Sequence, residues 1–167
     1  VDIDHINALA NAELEINDRG SLSYIANSNI GILTGPGTVA IPLRLNVGSN
    51  NRSDSFFGNL TGVGALHKVG TGVWSLNSVN DYAGRLTIDA GSVKLGNGEA
   101  LKNAEVWINV GNGFNINGQN TTVSGLGGAG ALALAGNNLT IKGGNAISHL
   151  GNFSGSGILT IDRTATQ

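Results

Sequence analysis

The sequence predicts an all-β chain wound as a parallel β-solenoid, and three observations carry that prediction. Apolar residues alternate at period two in short runs, turn-forming residues bound those runs, and a long block of the chain recurs. Period two marks strands, because successive side chains of an extended chain point to opposite faces. Gly, Asn, Asp and Ser between the runs supply positive φ or local hydrogen bonds for tight corners.

From the N-terminus, Ile3 to Ile16 is the best helical window, with Ala, Leu and Glu. Its second half recurs around the β-branched-rich Val106-Trp107-Ile108, so loop and strand are expected there. Alternation then runs through Trp74 and Leu76 against Val73 and Ser75, through Leu86 and Ile88, and through Val93 and Leu95. It continues at Val106, Ile108 and Val110, at Leu132 and Leu134, at Leu139 and Ile141, and at Leu159 and Ile161.

The recurrence sets how these strands are arranged. Ala8, Leu9, Asn11, Ala12, Glu13, Ile16 and Asn17 return as Ala100, Leu101, Asn103, Ala104, Glu105, Ile108 and Asn109, at an offset of 92 residues. Gly35-Pro36-Gly37 answers Gly128-Ala129-Gly130, and Gly62-Val63-Gly64 answers Gly155-Ser156-Gly157, both at 93. The chain 1–167 is thus one segment with copies at 8–99 and 100–161, the second incomplete. Within each copy the Gly-x-Gly elements stand 27 residues apart, the length of one or two coils. A sandwich does not explain such a duplication. Stacked coils do, since each short strand must hide its apolar face against its neighbour. Stacking also sets like residue over like, so Asn ladders are expected on the outside, and exposed end coils need caps.

Composition narrows the function. With 40% hydrophobic and 12% charged residues the chain is not disordered, and 27 Gly beside 2 Pro fit neither collagen nor a Pro-rich linker. A net charge of −2 provides no basic stripe for nucleic acid. The absence of Cys excludes disulfides and thiolate metal sites. No apolar run approaches the ~18 residues of a membrane helix. The chain starts at Val1 without an initiator Met, which reads as a processed product or an excised fragment.

Gly62-Val63-Gly64-Ala65-Leu66-His67-Lys68-Val69-Gly70-Thr71-Gly72-Val73-Trp74-Ser75-Leu76 leads into Asn80-Asp81-Tyr82-Ala83-Gly84 and on through Leu86 to Ala90-Gly91-Ser92-Val93-Lys94-Leu95. This stretch resembles the passenger-associated transport repeat of type V autotransporters. The residues that carry the resemblance are Gly62, Gly64, Leu66, Lys68, Gly70, Gly72, Tyr82, Gly84, Ala90, Gly91 and Leu95. The weaker likeness of the flanking coils extends it over about 8–161. Two departures stand out: Trp74 replaces a small or β-branched residue, and Asp162-Arg163-Thr164 replaces a second Gly-x-Gly strand.

The resemblance implies a right-handed, single-stranded parallel β-helix. It also implies a structural, export-supporting stalk of a secreted cell-surface adhesin or virulence factor of a Gram-negative bacterium. Its partners would be the C-terminal translocator barrel of the same precursor and a host surface or further copies. A self-associating adhesin module and a glycan-active β-helix enzyme are the alternative readings.

No catalytic, cofactor or metal site is expected. Asp2, Asp4 and His5 are the only tight metal-capable cluster, and they sit at the chain end without spaced partners. His67 and His149 lie in or beside strands, lack a carboxylate and nucleophile at recognisable spacing, and are expected to face outward. The acids Asp18, Asp54, Asp81, Asp89, Glu99, Glu105 and Asp162 are scattered singly, not paired as a glycosidase requires. The Gly-x-Gly elements lead into strands, not helix N-termini, so they are not phosphate cradles, and Gly127 to Leu132 lacks the Asp of a calcium repeat. Sequons at Asn51, Asn59, Asn120, Asn138 and Asn152 follow from composition. Arg52-Ser53-Asp54 reads as a hydrated loop outside the coils that could meet a partner. Of the aromatic residues Trp74, Trp107, Tyr24 and Tyr82, parity places Trp74 in the core and Trp107 outside, and Tyr82 packs in its turn.

Overall fold

The computed structural model describes residues 2–3, 9–24, 27–143 and 148–162, and these contain strands and turns but no helix. Every strand pairing is parallel, and each coil of chain visits three faces in turn. The long face stacks eight strands: Leu9–Glu15, Ser28–Thr34, Leu45–Val47, Leu66–Lys68, Arg85–Ile88, Glu105–Ile108, Gly125–Gly128 and Ser148–His149. The expected parallel β-solenoid is the fold observed. Asp4, His5 and Ala8 lie outside the described residues, as does the side chain of Asp2. The helical window resolves into a strand over Leu9–Glu15.

Register on the long face follows from side-chain alternation. One inward column runs Leu45, Leu66, Leu86, Val106, Leu126, and the next runs Val47, Lys68, Ile88, Ile108, Gly128, His149. The five residues of the first column are fully buried. Removing each such aliphatic side chain from water contributes about 1.5–3 kcal/mol, so like-over-like stacking repeats the same gain at every coil. Slipping one strand by a single residue would turn its aliphatics outward.

Four strands, Asp54–Phe56, Val73–Leu76, Ser92–Leu95 and Phe114–Asn115, form the second face and send Phe56, Trp74, Leu76, Val93, Leu95 and Phe114 into the core. That sheet stops at Phe114–Asn115. Leu132–Ala133 and Phe153–Ser154 form a separate pair beyond it. The third face carries Asp2–Ile3, Ser21–Tyr24, Thr38–Ala40 and Asn59–Thr61, then resumes with Thr121–Val123, Leu139–Lys142 and Leu159–Asp162. In the two coils between, residues 77–84 and 96–104 cross the third face as bends and turns.

From Arg85 to Glu105 the chain advances 20 residues and returns to the same position one coil higher. The Gly-x-Gly spacing of 27 is therefore one coil plus the step from one face to another. Gly35, Gly62, Gly128 and Gly155 all have positive φ. At Gly62, where φ is 96°, a Cβ would come within 2.5 Å of the Ile41 carbonyl oxygen, so the corner needs Gly both for its dihedral and for its close approach to the coil below. In the last described coil, inward-column residues such as Leu159 and Ile161 are exposed.

Candidate functional site

The motif residues gather at two corners of the coil. Where the long face turns into the second, Lys68, Gly70, Gly72, Ala90 and Gly91 meet. Lys68 shares parity with Leu66 and points inward between Val47 and Ile88, fully buried. Its Nζ donates to the carbonyl oxygens of Val69 at 2.6 Å, Gly70 at 2.8 Å and Ala90 at 3.4 Å. Three N–H donors thus find three acceptors drawn from two successive coils. Burial lowers the Lys68 pKa from 10.5 to about 8, because the charged form is parted from water. Gly70, at φ 67°, lies directly on the coil below, where a Cβ would stand 1.9 Å from the Gly48 oxygen. Gly91 repeats the approach over Gly72.

The other corner, between the third face and the long one, holds Gly62, Gly64, Tyr82 and Gly84. Tyr82 is fully buried, and its Oη lies 2.7 Å from both the Gly64 and the Arg85 carbonyl oxygens. Asn80 is also buried. Its Oδ1 accepts the Leu60 N–H at 2.7 Å from the coil below, while Nδ2 donates to Ala100 at 2.9 Å in the coil above and to Ser78 at 3.1 Å. Asn80 and Tyr82 therefore provide, from side chains, hydrogen bonds that a ladder would provide where the third-face strand is missing. Leu66 and Leu95 take core columns over Leu45 and Leu76. Trp74 is core, as parity requires, and its Nε1 donates to Leu33 O at 2.9 Å.

Outside, the long face carries the column Asn46, His67, Thr87, Trp107, Gly127, Ser148. His67 faces outward but does have a carboxylate partner: Nδ1 is 2.8 Å from Asp89 Oδ2, and Asn109 Nδ2 donates to Asp89 Oδ1 at 2.8 Å. Burial raises the Asp89 pKa, but the hydrogen bonds from His67 and Asn109 and the charges of His67 and Arg44 outweigh it and hold the carboxyl below its ordinary value. One coil separates the two residues, a spacing of 22 that sequence patterns for catalytic pairs do not cover. Arg85 pairs with Glu105 at 3.0 Å and lies 4.4 Å from the centroid of Trp107, whose Nε1 donates to Glu105 Oε1 at 2.7 Å. Trp107 is thus outward yet half-buried, its ring resting where Gly127 has no side chain.

Two other expectations are corrected. His149 is not outward: it occupies the inward column above Gly128, half-buried, with its ring 4.8 Å from Phe153 and its Nε2 without a partner. Arg52 and Ser53 form the expected exposed corner, but it is built into the coil rather than lying outside it. Arg52 pairs with Glu13 at 2.8 Å, Ser53 Oγ accepts the Val73 N–H, and Asp54 begins a strand. Glu99 pairs with Lys102, and Asp81 accepts from Asn59. The expected Asn ladder takes amide-to-amide form in the Asn46–Asn29 hydrogen bond. Elsewhere Asn27, Asn51, Asn59, Asn120 and Asn138 each accept a backbone N–H from the next coil. No group of three metal-capable side chains is found among the described residues.

The chain is 34% identical over 157 residues to the adhesin BmaC autotransporter of Brucella suis biovar 1 (strain 1330), a match that spans 84% of this chain. Sequence and fold coincide. The chain is a β-solenoid of the autotransporter passenger kind. This passenger segment spans only 4% of the length of that relative. No family model matches it, and no solved structure matches it. Secretion or display at the surface of a Gram-negative bacterium follows from the relationship. Among the described residues no helix is long and apolar enough to cross a membrane.

Proposed function

We propose that this segment is a stalk of a cell-surface adhesin, and that its motif stretch supports export by forming a stable folding nucleus. The observation that carries the reading is the pair of corner clusters. Lys68, Asn80 and Tyr82 each use buried polar groups to tie one coil to the next, the last two where the third-face ladder is interrupted. Coils that contact only their neighbours fold by addition to a coil already formed, so one well-tied coil outside the membrane favours the next. The chain contains no disulfide to hinder threading through a pore.

The reading includes a C-terminal translocator barrel in the same precursor, a non-enzymatic role and a contribution to virulence through adhesion. Copies at 8–99 and 100–161 are part of it, supported by the shared positive φ of the four Gly-x-Gly corners. In a precursor that carries its barrel, Asn80→Ala and Tyr82→Phe should reduce the amount of passenger at the surface, measured by antibody on intact cells. An exposed substitution such as Glu15→Gln should not. Equal display of all three variants would refute the export role.

A further inference from the structure

The second face contains a gap that the stalk role does not use. Its sheet ends at Phe114–Asn115 and restarts one coil higher at Leu132–Ala133, so no ladder joins those two strands. The coils remain tied at one side, where the Asn112 N–H donates to Ala131 O at 3.1 Å. Between them lies a slot of about 240 Å³ lined by Asn112, Phe114, Asn115, Ile116, Ala133 and Ala135. Among the described residues, three of the five non-Gly positions with positive φ border it, Asn112 at 58°, Asn117 at 49° and Ala135 at 50°. Asn tolerates this region through local hydrogen bonds, whereas Ala gains nothing from it, and backbone held in such a conformation gathers where ligands bind.

The chemistry of the walls selects the occupant. Facing strand edges that are not laddered offer N–H donors and C=O acceptors side by side. Asn112 contributes an amide at the mouth, while Ile116, Ala133 and Ala135 contribute apolar surface. No charged residue lines the slot. The facing strands, Phe114–Asn115 and Leu132–Ala133, are two residues each, too short an edge to hold an added peptide strand. The volume is below the ~300–1,000 Å³ of sites for drug-sized ligands, which leaves room for a single ring. A neutral pyranose fits this description, with hydroxyls that donate and accept and one apolar face.

We propose that the slot binds one pyranose unit of a neutral cell-surface glycan, which would give the stalk an adhesive contact of its own. The proposal stands apart from the export role and fails or holds independently of it. The test is a titration of the ¹⁵N-labelled chain, read at the backbone amides. Lactose and chitobiose represent host chains, neutral polysaccharide from the displaying bacterium represents its own coat, and glycerol is an open-chain polyol control.

Saturable shifts confined to residues 112–118 and 131–136 are expected with at least one sugar, and whichever ligand binds identifies the source. Ala133→Leu, at an exposed position in the slot wall, should weaken the response at least tenfold, and Asn112→Gly, which keeps the positive φ and removes the amide, should weaken it severalfold, with the rest of the spectrum unchanged. The proposal is overturned if no sugar shifts these amides, if glycerol shifts them equally, or if both variants respond like the parent chain.

Discussion

Lys68→Met offers the sharpest test of the buried-lysine corner. Methionine matches the unbranched stem of Lys68 between Val47 and Ile88 and removes the amine. In the unfolded chain the lysine titrates near 10.5, and in the folded chain near 8. Above about pH 8 the folded chain sheds a proton that the unfolded chain retains until about 10.5, so stability rises with pH across that window. At 1.36 kcal/mol per pKa unit, the rise amounts to about 3 kcal/mol. Below pH 8 both states hold the proton, and the cost of the buried charge is constant.

Urea unfolding followed by the fluorescence of buried Trp74 gives stability at each pH. The stability of the variant minus that of the parent should be flat from pH 6 to 8 and then fall by about 3 kcal/mol by pH 10.5. Effects of tyrosine ionisation are common to both chains and cancel in the difference. A difference that stays level from pH 7 to 11 would refute the burial of the ammonium.

Tyr82→Phe leaves the Gly64 and Arg85 carbonyls without their buried hydroxyl and should cost about 1–3 kcal/mol in urea unfolding. Gly70→Ala combines a positive φ with a clash against Gly48 and should cost about 3 kcal/mol, read as a lowered Tm. Ala135→Gly should raise stability by up to about 1 kcal/mol, since the left-handed strain on Ala exceeds the extra chain entropy of Gly. Asp89 should titrate below its ordinary carboxylate value by carboxyl NMR, and its contribution, present above that value, should be lost as pH falls through the folded pKa. Asp89→Asn should make the acid loss of stability shallower.

The fold was legible because β-solenoid physics repeats itself in sequence: Leu66, Leu86 and Val106 advertise their column by parity and spacing. The motif glycines were legible as turns, but their reason, contact with the backbone one coil below, needs the stack itself. Lys68 shares the parity of Leu66, and that signal alone could have placed it inside. Pairings such as His67 with Asp89 and Arg85 with Glu105 join residues 22 and 20 apart, one coil in each case. They become visible in sequence only once the coil length is known. Interruptions set that length apart from the 92-residue recurrence: the third face loses its strand twice, and the second face breaks at Phe114–Asn115. The Asn80-Asp81-Tyr82 turn marks the first lost third-face strand in the sequence, whereas no local pattern marks the break after Phe114–Asn115.

The parallel coil stack is tested most directly by one distance. The chain has no Cys, so thiols placed at Asn46 and Ser148 can be spin-labelled selectively. These positions share the outer column of the long face and are five coil steps apart. At ~4.8 Å per step, pulsed electron resonance should find a single narrow distribution near ~24 Å, before allowance for the label arms. A broad distribution, or a separation matching the ~10 Å between two facing antiparallel sheets, would contradict the stacked solenoid.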